Sequence, residues 1–156
     1  MTFQVRAMTA QDLDQVLLLA GESSEAPRWT RADYERIPLA GSSDLLSRCG
    51  VVALSGANLV AFAAASWLRQ EITAEVEALF VERPYRRQGI GGALIGACIA
   101  WAANSGASSV RLEVRASNAA ALALYHRHGF SAAGIRRAYY SAPVEDAVLL
   151  QVPVPL

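Results

Sequence analysis

The apolar and polar positions along the chain predict seven strands and four helices. Phe3–Ala7 alternates, as a half-buried strand does. Thr9 is placed to cap a helix over Ala10–Ala20, whose Leu13, Val16, Leu17 and Ala20 share one face. A polar break, Gly21–Pro27, precedes a short helix from about Thr30, with Asp33 positioned for a capping-box contact and Trp29 for a hydrophobic staple. Cys49–Ser55 and Leu59–Leu68 read as strands joined at Gly56–Asn58, and Ala74–Val81 as a third, which predicts an antiparallel meander.

The stretch Glu82-Arg-Pro-Tyr-Arg-Arg-Gln88 then leads into a helix that opens on Gly89-Ile-Gly-Gly-Ala93, continues to Ala103 and stops at Gly106. Ser109–Arg115 alternates strictly: Val110, Leu112 and Val114 face one way, Arg111, Glu113 and Arg115 the other. Ser117 is placed to cap a helix from Asn118 to about His128, with Ala121, Leu122, Leu124 and Tyr125 on one face and Gly129 closing it. Phe130–Arg137 and Val144–Val154 read as strands around the loop Ala138–Pro143. With no repeats or linkers, residues 1–156 read as one domain.

Composition narrows the class. A chain of 156 residues that is 53% hydrophobic and 18% charged can build a core, and a net charge of zero removes the electrostatic case for binding nucleic acid or a membrane. Cys49 and Cys98 are far apart without metal-type spacing and read as reduced core thiols. The first residues have no basic stretch followed by an apolar one, and the run Gly89–Ala103 falls short of the roughly 20 residues a membrane span needs, so a cytoplasmic protein is expected.

The chemistry concentrates between Val76 and Gly106. Glycines at a helix start leave backbone N–H groups free to face an anion, aided by the helix dipole, with Arg86 and Arg87 adding charge and Gly89 and Gly91 removing any Cβ from the ligand's path. The Walker pattern is excluded, because no Gly-Lys-Ser/Thr follows and the chain has no lysine. The dinucleotide fingerprint fails too, since Gly89-Ile-Gly91-Gly-Ala-Leu94 lacks the third glycine in register. The pattern Arg86-x-x-Gly89-x-Gly91 resembles the pyrophosphate signature of the GNAT superfamily of N-acetyltransferases. That resemblance implies an α+β, three-layer fold: a mixed sheet of about seven strands flanked by about four helices, with the strands before and after the glycine-rich helix splaying apart. It further implies acetyl-CoA as co-substrate, held by the backbone of Leu79, Phe80 and Val81 and by Arg86, Arg87, Gln88, Gly89, Ile90, Gly91 and Gly92.

Leu112-Glu-Val-Arg-Ala-Ser-Asn118, Tyr125, Gly129-Phe130, Ile135-Arg-Arg-Ala-Tyr-Tyr140 and Glu145-Asp146 further resemble the RimI group, the ribosomal-protein-alanine N-acetyltransferases. An amine attacks a thioester only when neutral, so a base must take its proton and an acid must protonate the departing thiolate. The resemblance assigns Glu113 as base and Tyr125 as acid; an ion pair of Glu113 with Arg111 or Arg115 and a core role for Tyr125 are the plain structural readings, and Glu77 is the alternative base. Asn118 is either a first-turn helix residue or a cofactor contact. His126 and His128 read as exposed residues suited to a helix C-terminus, and no metal is expected.

The implied acceptor is a protein N-terminus, whose amine titrates near 8, whereas a lysine near 10.4 costs roughly 4 kcal/mol to deprotonate at neutral pH. Glu22, Glu25, Asp33 and Glu35 are expected to draw a basic peptide, and Tyr139 and Tyr140 to line its path. A small-molecule amine is the alternative acceptor, and a non-catalytic CoA-binding module a third reading, disfavoured by the presence of both Glu113 and Tyr125. The oligomeric state stays open.

Overall fold

The computed structural model describes residues 2–39 and 45–154. Among them seven strands form a sheet: β1 (Gln4–Ala7), β2 (Leu46–Ser55), β3 (Asn58–Leu68), β4 (Thr73–Val81), β5 (Ser109–Arg115), β6 (Ser131–Ser141) and β7 (Val144–Pro153). Its order is β1-β2-β3-β4-β5-β7-β6, parallel between β4 and β5 and antiparallel elsewhere. Four helices, α1 (Leu13–Glu22), α2 (Arg31–Leu39), α3 (Ile90–Ser105) and α4 (Ala119–Arg127), flank it, so the expected mixed sheet with four helices is found.

Burial explains the layering. Leu59–Ala65 of β3 is buried at every position, the mark of a central strand covered on both faces. Val52, Phe62 and Phe80 pack with α1 and α2 on one face, and Val51, Ala63, Val110 and Leu150 pack with α3 and α4 on the other. Helix α3 is nearly apolar all round and packs on β2, β3, β4 and β5, as a helix buried against a sheet must. Both cysteines are free, Cys98 buried on α3 and Cys49 half-buried on β2.

Local signals hold with three differences. The expected first helix opens as a 3₁₀ turn, Ala10–Asp12, and α1 begins at Leu13; the expected face holds, with Val16 buried, Leu13, Leu17 and Ala20 packed partly buried against the same cluster, and Leu19 joining them. The α2 start is as expected: Thr30 N–H donates to Asp33 at 2.7 Å, and Trp29 stacks edge-on with Tyr34 at 5.2 Å. The cap of α4 is Asn118 rather than Ser117, because the Asn118 amide oxygen accepts the Ala121 N–H at 3.1 Å. The expected loop Ala138–Pro143 is largely strand, since β6 runs to Ser141 and turns at the cis Ala142–Pro143 bond. Its register with β7 breaks between Arg136 and Tyr140, where Ala138 takes φ 52°.

One buried charge anchors the first corner. Asp12 is 4% exposed and receives both Arg6 guanidinium nitrogens, at 2.7 and 2.8 Å, plus the Thr9 N–H at 2.8 Å. The Arg6 hydrogen bond holds the Asp12 carboxyl below its ordinary value, so the folded chain protonates there less readily than the unfolded one. The stabilisation is therefore complete above the ordinary aspartate value near 4 and is lost as pH falls through the lower folded-state value. Asp12→Asn should cost about 2 kcal/mol near neutral pH, and the gap from the parent should close on acidification below about pH 4. Thermal melts followed by circular dichroism at both pH values check this.

Candidate active site

The site begins where strand pairing ends. β4 and β5 are in register only at Thr73↔Ser109, Ala74↔Val110 and Glu75↔Arg111. Beyond that point β4 stays with β3 up to Val81↔Ala61, and β5 stays with β7 up to Arg115↔Ala147, so the two strands part. Glu82 N–H donates to Val60 O, which by ladder alternation turns Phe80 toward β3 and leaves Leu79 and Val81 with backbone groups aimed into the gap. Of the three residues expected to offer backbone there, Phe80 is instead a core residue, 2% exposed and stacked with Phe62 at 5.4 Å.

The gap ends on the N-terminus of α3. After a 3₁₀ turn at Arg83–Tyr85, Arg87 takes φ 62° and Gly89 φ 86°, left-handed conformations that aim successive N–H groups into a concavity. The first bond across the helix start runs from Ala93 N–H to Gly89 O at 3.0 Å, so the N–H groups of Ile90, Gly91 and Gly92 have no acceptor within the helix. A Cβ at Gly89 would meet nothing within 4 Å, the open space that a pyrophosphate requires. The observed donors and room fit acetyl-CoA, which when bound would supply the acyl group as a thioester.

One assignment in this loop widens and another changes. A Cβ on Gly91 would lie 3.1 Å from Leu124, and one on Gly92 2.9 Å from His128, so these glycines also serve the packing of α4 on the first turn of α3. Accordingly His128 is half-buried; exposed His126 directs Nδ1 to Phe130 O at 3.0 Å. Arg86 does not stand at the rim as a free cation: its Nε donates to Val81 O at 2.9 Å and its Nη2 meets Glu25 at 3.4 Å. The Gln88 side chain donates to Pro84 O at 3.4 Å.

Tyr125 and Glu113 lie on opposite faces of the gap. Tyr125, on α4, is 7% exposed, edge-on to Phe130 at 5.6 Å, and belongs to the same apolar cluster as Leu112 and Val114. Burial, reinforced by Cys98 and Tyr140, holds its phenol well above the ordinary tyrosine value, so it stays protonated and able to donate. Glu113 alternates with Leu112 and Val114 and so projects from the other face. Its ion pair is with neither Arg111 nor Arg115 but with Arg136 of β6, Nη1 to Oε1 at 3.4 Å. Arg111 serves Glu71 and Glu75, both at 3.8 Å, while Arg115 serves Glu145 at 3.3 Å and lies 4.3 Å from the Tyr140 ring centre.

The alternative base, Glu77, falls in a β-bulge: the register steps from Ala78↔Ala64 to Val76↔Ala65 and skips it. Neighbouring Glu75 has a raised pKa, chiefly from burial and partly from Glu77 and Glu113, so three carboxylates share this end of the gap. The residues that sequence reasoning left without a role are Glu75 and Arg136; strand parity alone places both on the Glu113 face, but only the β6 pairing brings Arg136 to the carboxylate. The Asn118 oxygen is committed to its cap, leaving its amide nitrogen for other contacts.

The expected attraction for a basic peptide is weakened. Asp33 is engaged by the Thr30 N–H, Glu35 by Arg31 at 3.1 Å and Glu25 by Arg86, which leaves Glu22 beside a cleft of about 290 Å³ shared with Ser23, Ser24, Glu82 and Arg83. Tyr139 and Tyr140 do meet, edge to face at 5.1 Å, with Tyr139 half exposed. Among the described residues no His, Cys, Asp and Glu group is arranged to hold a metal, and no helix is long and apolar enough to cross a membrane.

Comparison with known proteins places this geometry. A stretch of 76 residues is 46% identical to the [ribosomal protein bS18]-alanine N-acetyltransferase of Escherichia coli K12, covering 47% of this chain and 51% of that enzyme, so the match spans about half of each protein. The crystal structure of the Escherichia coli ribosomal-protein-S18-alanine N-acetyltransferase superposes with a TM-score of 0.81 at 27% identity, over 99% of this chain and 96% of that one. Arabidopsis thaliana NAA60, solved in complex with acetyl-CoA, shares the fold at a TM-score of 0.83 and 17% identity, over 98% of this chain and 99% of that one. Residues 13–130 match the model of the acetyltransferase (GNAT) family, and the chain belongs to that family.

Proposed function

We propose that this chain transfers the acetyl group of acetyl-CoA to the N-terminal alanine of a ribosomal protein. The transfer chemistry rests on one observation: a gap between β4 and β5 that runs onto the free N–H groups of α3, with a carboxylate on one face and a buried phenol on the other. The alanine acceptor is supported by the 46% identity over 76 residues to the Escherichia coli enzyme, and it comes with that enzyme's name rather than from a pocket. Residues 1–156 act as one catalytic unit in this reading.

The chain's own residues divide the work. Leu79 and the N–H of Val81, whose carbonyl already accepts from Arg86, present backbone to the pantetheine arm, and the N–H groups from Arg87 to Gly92 hold the pyrophosphate. Glu113 takes the proton from the α-amine, directly or through one water, and Tyr125 donates its own to the sulfur that leaves. A group of modest basicity suffices, because an α-amine near 8 is already partly neutral at cellular pH. The small cleft beside Glu22, walled by the loop that Glu25 and Arg86 tie down, favours a second reading in which the acceptor is a small amine.

Gly89→Ala should leave the fold intact but weaken acetyl-CoA binding at least about tenfold, because φ 86° strains any side chain and the new methyl enters the open space. Calorimetry decides, and unchanged affinity in a folded variant would show the cradle to be misplaced.

Tyr125→Phe should lower kcat on the order of a hundredfold with acetyl-CoA affinity unchanged, since it deletes a proton donor and almost no volume. Because burial raises this phenol, the parent should show no loss of turnover from its ionisation below about pH 10. Full activity of Tyr125→Phe would remove the acid assignment. Glu113→Gln and Glu77→Gln, assayed together, identify which carboxylate is the base.

Acetyl-CoA offered with peptides beginning in alanine, with the same peptides N-terminally blocked but carrying lysine, and with free amino acids or polyamines, should be consumed fastest by the first set. Since three of the four mouth carboxylates already have partners, salt should change KM only weakly. Preference for the blocked lysine peptides or the free amines would overturn the N-terminal acceptor.

A further inference from the structure

Glu113 is not an open carboxylate. Arg136 Nη1 lies 3.4 Å from Glu113 Oε1, with the Glu113 side chain 18% exposed and that of Arg136 55% exposed, so the guanidinium sits on the solvent side of the base. The Glu113 charge raises the nearby Tyr139 phenol above its ordinary value, and the Arg136 guanidinium rests 5.1 Å from the centre of the Tyr139 ring. The other cations nearby are committed: Arg111 to Glu71 and Glu75, Arg115 to Glu145.

The segment that carries Arg136 is loosely held. Every residue from Ser131 to Tyr139 is exposed, β6 is an edge strand, and its register with β7 stops at Arg136↔Ala147 and resumes only at Tyr140↔Glu145. Moving the guanidinium aside therefore breaks no core packing, and a half-exposed ion pair is weak enough for a second cation to displace.

We propose that Arg136 is a positioning residue that stands in for the acceptor's ammonium group: it occupies Glu113 until an amine arrives and thereby keeps the base from activating water. The inference rests on the acetyltransferase reading above and concerns Glu113 as its base. The reaction being suppressed is hydrolysis. A water oxygen would bond to the acyl carbon and the carbon–sulfur bond would break. Glu113 would take the water's proton and Tyr125 would protonate the sulfur, giving acetic acid, which ionises, and free CoA. An α-ammonium group carries the same charge as the guanidinium and exchanges with it at the carboxylate; water carries none and cannot.

The test compares Arg136→Gln, Arg136→Lys and the Glu113→Gln/Arg136→Gln pair with the parent. Thiol release from acetyl-CoA without acceptor is followed, and binding of an alanine-initiated peptide to cofactor-free enzyme is measured by calorimetry. Arg136→Gln should raise acceptor-free thiol release and tighten peptide binding, each about threefold, the occupancy expected of an exposed pair. Arg136→Lys should behave as the parent, and the double variant should lose the extra hydrolysis. Unchanged hydrolysis and peptide affinity in a folded Arg136→Gln, or extra hydrolysis that survives Glu113→Gln, overturns the proposal. A parent that acetylates no amine would overturn the acetyltransferase reading itself; a parent that does, with an inert Arg136→Gln, overturns only the stand-in.

Discussion

The parallel pairing of β4 with β5 stops after three residue pairs, and the functional geometry depends on that stop. Each strand has a stronger commitment on its other side: β4 pairs antiparallel with β3 as far as Val81, and β5 with β7 along all of Ser109–Arg115. Sheet twist rotates the two antiparallel blocks against each other, and past Glu75 they separate. The bulge at Glu77 adds to this by bending β4 where pairing is lost. Backbone groups that would be costly if buried and unmet are thus left beside an opening, where a ligand with amides of its own can satisfy them.

The helix that follows is held in place by small residues as much as by large ones. A methyl on Gly91 or Gly92 would press on Leu124 or His128, so α4 lies directly against the first turn of α3. That contact brings Tyr125 to the gap. The same glycines that look in sequence like clearance for an anion are therefore also the interface that sets how closely α4 approaches the N-terminus of α3, while Gly89, with left-handed φ, has open space where a side chain would stand.

How much of this was legible follows from the range of each interaction. The capping box at Thr30 and Asp33, the alternation of Ser109–Arg115 and the stop at Gly106 are local, and sequence reads them directly. The loop expected at Ala138–Pro143 failed because Tyr140 and Ser141 extend β6 by pairing with Glu145 and Val144 across a turn that begins only at Ala142, a long-range pairing that a pattern of apolar residues does not show. Ser117 and Asn118 are both good caps on paper; in the structure Asn118 takes the cap, while Glu145 of β7 accepts the Ser117 N–H. Arg86 looked like a free rim cation because its partner, Glu25, lies sixty-one residues away. Long-range ion pairs leave no local trace.

Charge is sorted by the sheet itself. On β4 and β5 the residues facing α3 and α4 are Ala74, Val76, Val110, Leu112 and Val114, all apolar, and they share a cluster with the Tyr125 phenol. On the opposite face stand Glu75, Arg111, Glu113 and Arg115, joined from the edge by Arg136. Under the proposed chemistry a cationic amine arrives on the carboxylate face and an anionic sulfur leaves on the phenol face, so the proton lost and the proton gained never cross the sheet or compete for one group. Two side chains of adjacent elements achieve this because strand alternation sends Glu113 away from the very residues, Leu112 and Val114, that pack with Tyr125. Moving the base by one residue along β5 would put it among those apolar neighbours and leave a buried charge without a partner, at a cost no surface pair could offset.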